Sequence, residues 1–427
     1  MSDLTEKTAL ELVRAVATDA TTVEAIASAY LDRIATREPD VRAWAYLDPD
    51  KVLQEARALD QGPRRGLLHG APFAAKDIID TVDMPTGHGS PIYEGRQPDR
   101  DATCIALCRA VGGLLLGKTV TTEFAHVSPG PTRNPHDPTR TPGGSSSGSA
   151  AAVGDRMVPL AFGTQTTGSV IRPASFCGVV GYKPSHGDFG LSGVGQNAPS
   201  FDTLGVMARD VADAALMRAA VMGAPYRELE VPPVSSLFLG LCRTPYWDQA
   251  EASTQAAIED AVNRLSRAGA TIVNFPLPDG YEEVRECLPL VSGYEFSRVL
   301  AYERAIHPDK LSKKLLNGRV ADGDKCSYAG YRGALATIAA YKAKLADAFG
   351  SFDALITPSA AGEAHVGLTT TGSPLFNGVW TALHAPAVTL PVLEGPNGLP
   401  VGLQLVGKIY QDDGLLDVAS AVSAALA

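Results

Sequence analysis

Two serines set in glycine-rich turns and one lysine set among apolar residues are the side chains whose types and spacing could do covalent chemistry. Ser169 closes the run Gly163-Thr164-Gln165-Thr166-Thr167-Gly168-Ser169, which follows the apolar Leu160-Ala161-Phe162. Backbone N–H groups in such a turn can converge on one point, where they would stabilise the charge that develops on a carbonyl oxygen under attack. A serine nucleophile also needs a base. None of the eight histidines stands in an H-x-x-x-H or H-E-x-x-H pattern. Lys76 offers one instead, because it lies between an apolar stretch ending at Ala75 and the pair Ile78-Ile79. Burial disfavours the ammonium form and pulls a lysine down from about 10.4, towards the neutral amine a serine relay requires. The alternative is a lysine held at a loop surface by Asp77 or Asp80. The third segment, Pro142-Gly143-Gly144-Ser145-Ser146-Ser147-Gly148, runs directly into Ser149-Ala150-Ala151-Ala152-Val153. It reads as a tight loop capping a helix rather than as a linker, with glycines that permit unusual backbone angles beside clustered hydroxyls.

The elements that must position these groups alternate. Val23, Ile26, Ala27, Tyr30, Leu31 and Ile34 recur at three- and four-residue spacing after Thr21 and Thr22, which predicts an early amphipathic helix. A second helical pattern, Ala102 to Val111, ends at Gly112-Gly113 and gives way to Leu114-Leu115-Leu116, a run whose length suits a buried strand. The same step recurs from Ala256–Ala268 through Gly269 into Thr271–Phe275, and Leu237–Cys242, Leu355-Ile356 and Val401–Val406 are further strand candidates. Together these predict α/β layers around a mostly buried sheet. Gly112 to Thr119 also satisfies G-x-x-x-x-G-K-[ST], the phosphate loop of nucleotide hydrolases. Its context argues against that use, since a helix precedes it and its three leucines call for burial; a strand ending near Lys118 is the reading taken. Residues 279–345 become helical and charged, with Lys310, Lys313, Lys314 and Arg319 read as a solvated face.

With 427 residues, 45% of them hydrophobic, the chain can bury a large core. Its formal charge of −10 repels phosphate backbones and anionic membranes, so nucleic acid and membrane partners are not expected. No segment has the roughly 18 consecutive apolar residues a bilayer span needs. The N-terminus lacks the pattern of an export signal, and six scattered cysteines without a C-x-x-C pair read as reduced core thiols, so a cytoplasmic location is expected.

Taken together, the segments around Lys76, Ser145 and Ser169 resemble the amidase signature family, whose mark is a lysine after G-x-P, a Gly-Gly-Ser-Ser loop and a Gly-Ser nucleophile turn. The 24 residues from Ser145 to Ser169 match the family's spacing between its two serines. The resemblance implies that Lys76 is the general base, Ser145 the bridging serine after a cis peptide bond, and Ser169 the nucleophile. It further implies an oxyanion hole of N–H groups from Thr166, Thr167, Gly168 and Ser169. The fold implied is α/β, a large mixed twisted β-sheet core surrounded by α-helices in a single domain over 1–427, with the signature core at about 68–205 and a variable helical region at about 279–349. The strings around Lys76 and Ser169 look most like the malonamidase-type bacterial branch. There the arginine three residues after the nucleophile binds a substrate carboxylate, which makes Arg172 a substrate-binding candidate, with Gly144 and Ser146 beside it; Arg172 paired with a buried carboxylate is the alternative. Gln165 and Thr167 depart from the more common Asp and Gly. The activity implied is hydrolysis of the C–N bond of a small linear amide other than a peptide, without cofactor or metal. Carbamate or aryl ester hydrolysis by the same triad is an alternative, as is a non-catalytic or amidotransferase-type subunit needing partners. Self-association as a homodimer through an exposed apolar helix face is compatible with the sequence. Phe376, Trp380 and His384 either line the pocket or fill core.

Overall fold

The computed structural model describes residues 4–126 and 128–427. Eleven strands form one mixed sheet: β1 Trp44–Leu47, β2 Pro72–Lys76, β3 Leu114–Thr119, β4 Leu160–Gln165, β5 Val180–Lys183, β6 Thr203–Ala208, β7 Phe238–Leu241, β8 Thr271–Asn274, β9 Ala354–Pro358, β10 Ala387–Glu394 and β11 Pro400–Val406. Across the sheet they run β1-β3-β2-β4-β6-β5-β10-β11-β9-β7-β8. β2 lies parallel to both β3 and β4, and β7 is parallel to β8 and β9, whereas β4, β6, β5, β10, β11 and β9 pair antiparallel in turn.

Helices cover both faces, which is why the central strands read as apolar runs rather than as alternating patterns. Phe73, Ala75, Leu115, Leu160 and Phe162 enter one core cluster, and their neighbours Ala74, Leu114, Leu116 and Ala161 enter another. The early helix forms as Val23–Val41, with the Thr22 hydroxyl accepting the Ala25 N–H at its start. The helical run before β3 forms over Thr103–Ala110, and the chain leaves it through Gly112 at φ +89°, an angle that favours glycine.

The phosphate-loop match resolves as a fully buried strand. Lys118 is completely buried on β3, where its Nζ donates to Thr86 Oγ1 at 2.7 Å and to the Pro85 carbonyl at 3.2 Å. Residues 281–349 are mainly helical, but the basic stretch there is not one face. Lys310, Lys313 and Lys314 are exposed, while Arg319 is drawn inwards by a hydrogen bond to Ser292 Oγ. Among the described residues, no helix is long and apolar enough to cross a membrane.

Candidate active site

Parallel strands place the loops that follow them on one side of the sheet, and a sheet of this kind commonly binds ligands beyond those C-terminal ends. β2 ends in Lys76 and its parallel neighbour β4 ends in Gln165, so the lysine and the turn carrying Ser169 emerge side by side. The loop carrying Ser145 leads straight into the helix Ser147–Gly154. Gly143 adopts φ +79° and the Gly144–Ser145 peptide is cis.

Lys76 is completely buried, with its Nζ 2.8 Å from Ser145 Oγ and 2.9 Å from Thr164 Oγ1. The surface pairing with Asp77 or Asp80 is not what the structure shows. Asp77 faces Lys118 at 3.6 Å and Asp80 binds Arg96 at 2.7 Å. Burial pulls the Lys76 amine down to about 7, opposed by the field of Asp202. A neutral amine can donate to Thr164 and accept from Ser145 at once. Ser145 and Ser169 are both buried, and the Ser169 hydroxyl has no hydrogen-bond partner among the described residues. Apo sites often show such looseness where substrate later tightens the contact.

The turn from Thr166 to Ser169 keeps its backbone N–H groups free of protein acceptors among the described residues, so they remain open to an oxyanion. Its conformation is fixed from outside. Gln165 Oε1 accepts the N–H groups of Val170 and Ile171 at 2.8 and 3.0 Å, and its Nε2 donates to Thr381 Oγ1 at 2.9 Å. Thr381 in turn donates to the Thr167 carbonyl at 2.9 Å. Thr166 Oγ1 donates to Asp202, whose other oxygen takes the N–H groups of Asn197 and Ala198. At Gly168 a β-carbon would stand 2.7 Å from Asn377 Oδ1 and 3.2 Å from Arg172 Nη1, so only glycine lets both approach. Thr167 is not among the residues with positive φ.

Ser146 is completely buried, and its hydroxyl is engaged with both backbone groups of Thr164 on β4. Gly144 enters through its carbonyl, which accepts from Arg172 Nη2 at 2.5 Å. Arg172 is buried and also reaches Thr371 Oγ1 at 3.3 Å, yet its Nε and Nη1 have no partner among the described residues. The internal ion pair considered from sequence is absent among the described residues. With only burial acting on it, the guanidinium falls to about 10.

Sequence reasoning does not find Thr164, Asp202 and Thr381. Thr381 touches the turn from 214 residues away, and no local pattern marks it. Phe376 and Trp380 are core residues, and His384 bonds the Ser200 carbonyl while stacking on His186. A cavity of about 470 Å³ adjoins the turn, reaching from Thr167 and Pro374 to Leu288 and Arg319. Among the described residues, no group of three or more His, Cys, Asp or Glu side chains is placed to hold a metal ion.

Against known proteins, the family described as Amidase matches residues 25–416. A glutamyl-tRNA(Gln) amidotransferase subunit from Acidothermus cellulolyticus is 34% identical over 490 aligned residues, covering 100% of this chain and 95% of the relative. A crystal structure of an amidase superposes with a TM-score of 0.90 at 30% identity, covering 98% of this chain and 99% of that one. The peptide amidase of Stenotrophomonas maltophilia gives 0.84 at 29% identity, covering 98% and 96%.

Proposed function

This chain belongs to the amidase family, and on that premise we propose that it hydrolyses the C–N bond of a small amide through an acyl-enzyme on Ser169. The observation that carries the reading is the 2.8 Å contact between Ser145 and a completely buried Lys76. Neutral Lys76 takes the Ser145 proton as Ser145 takes that of Ser169, and the Ser169 oxygen bonds to the carbonyl carbon. The N–H groups of Thr166 to Ser169 receive the developing oxyanion. As the C–N bond breaks, the proton returns through Ser145 to the leaving nitrogen. Water then attacks the ester, giving a carboxylic acid and restoring Ser169. Arg172, whose unpartnered Nη1 lies beside Gly168, is the candidate anchor for a substrate carboxylate, as the malonamidase-type likeness suggests.

A second reading, favoured by the relative from Acidothermus cellulolyticus, is that the chain is one component of an amidotransferase and needs partners. The two share their chemistry and differ in what the isolated chain does. The 490 aligned positions exceed the 427 residues here, so that relative carries stretches with no counterpart in this chain. The test is an assay of the purified chain on a panel of amides, carbamates and aryl esters, with Ser169→Ala as the blank. Turnover by the chain alone supports the first reading. Turnover that appears only with added partner proteins supports the second, and turnover equal to that of Ser169→Ala overturns the assignment of the nucleophile.

A further inference from the structure

The cavity beside the nucleophile turn has a polarity that the reaction itself does not require. Thr167 forms one wall, and Pro374, which also packs against Gly168, forms another. Arg319 also lines it, as do the exposed Arg285 and Glu286. Arg319 sits in a π-helical turn, Leu316–Val320, a distortion that often marks functional sites because it redirects a side chain out of the helical repeat. Its Nη1 donates to Ser292 Oγ, whose hydroxyl in turn donates to the Leu288 carbonyl. No carboxylate lies within ion-pairing distance of Arg319 among the described residues; Asp322 is the acid whose field it feels. Arg285 is held over the Tyr246 ring at 4.6 Å.

We propose that this cavity is a subsite for an anionic group on the substrate, a carboxylate in the simplest case, held by Arg319. The proposal rests on the amidase reading above and names the substrate class of that site. An arginine stays protonated at any working pH, so a half-buried guanidinium with no carboxylate in ion-pairing contact among the described residues leaves N–H donors that a carboxylate would satisfy. The chain's net charge of −10 disfavours the approach of anions, and a local cationic wall restores their binding at this one place. The volume of about 470 Å³ lies in the range of small-molecule pockets, so the anion can be carried on several carbons from the scissile bond. The subsite thereby differs from Arg172, whose unpartnered Nη1 lies against Gly168 and which does not line this cavity.

The experiment compares kcat/KM for glutaramate and adipamate, monoamides ending in carboxylate, with their methyl esters in the wild type and in Arg319→Gln. The acid-over-ester preference is expected to fall roughly tenfold or more in Arg319→Gln, mainly through KM, as for loss of a charge-assisted hydrogen bond. Arg319→Lys should recover part of it. An unchanged preference, or an equal loss on acid and ester, overturns the subsite. If the wild type hydrolyses none of these amides, titration of glutarate into the wild type and into Arg319→Gln decides independently. Binding weakened by the substitution upholds the subsite while the amidase reading fails, and equal or absent binding overturns the subsite too.

Discussion

A fully buried lysine with no carboxylate in contact among the described residues carries its charge at a high cost, and at Lys76 that cost favours giving up the proton. Burial brings the amine to about 7, within reach of neutral pH. If the neutral form is the base, as proposed, kcat/KM should climb about tenfold per pH unit below 7 and level off above it. Lys76→Ala should lower kcat/KM by about 10²- to 10⁴-fold and abolish that rising limb, as a pH series on both proteins will show. A limb that survives the substitution would assign it to another group. The three residues of the proposed relay are legible in the sequence because their chemistry is local: a lysine among apolar neighbours, and two serines each after glycine. Thr164, the second partner of the amine, is not legible, because a threonine inside an apolar strand advertises nothing about the side chain it will meet.

At the scale of elements, the turn carrying Ser169 is suspended between β4 and the short helix Gly378–Ala382. In sequence, Gln165 reads as the loss of a carboxylate. In the structure its amide does two jobs at once, accepting from Val170 and Ile171 and donating to Thr381. A carboxylate could perform only the first. Thr381 completes the frame by holding the Thr167 carbonyl, which fixes the peptide plane that carries the Gly168 N–H. Removing that hydroxyl should disorder the proposed oxyanion donors without touching the substrate. Thr381→Val is therefore expected to lower kcat by about ten- to a hundredfold with KM little changed, and Thr381→Ser to restore most of it. Steady-state kinetics separate the two, and an effect confined to KM would refute the positioning role. The strand-to-turn-to-helix step itself can be read from Leu160 to Pro173, since an apolar run followed by glycines and a second apolar run has few other solutions. The sheet order cannot, because β5 pairs with β10 some two hundred residues later and the strands carry no mark of their partners.

For the molecule as a whole, the same sheet buries two more lysines. Lys118 is brought to about 8 and Lys183, whose Nζ donates to the Pro184 carbonyl at 2.7 Å, to about 7, both chiefly by burial. Each of the three has a folded value below its ordinary 10.5, so between about 7 and 10.5 the unfolded chain binds more protons than the folded one. Stability then rises with pH across that window. Buried thiols act in the opposite sense. Burial raises Cys104 and Cys242 to about 12 and Cys108 and Cys177 higher, so above their ordinary 9.0 the unfolded chain loses protons that the folded chain keeps, and stability falls. Asp213, raised by burial to about 7, opposes the lysines only at lower pH, since its own window closes where theirs opens. The expected calorimetric profile is a Tm that climbs from pH 7 to about 8.5 and turns over above 9. Lys183→Met keeps an apolar side chain in place and removes one titrating group, so it should raise the Tm most at pH 7 and flatten the climb. A Tm that falls steadily from pH 7 to 8.5 would show that these amines stay protonated in the folded chain, and with that the neutral Lys76 on which the relay depends would lose its physical basis.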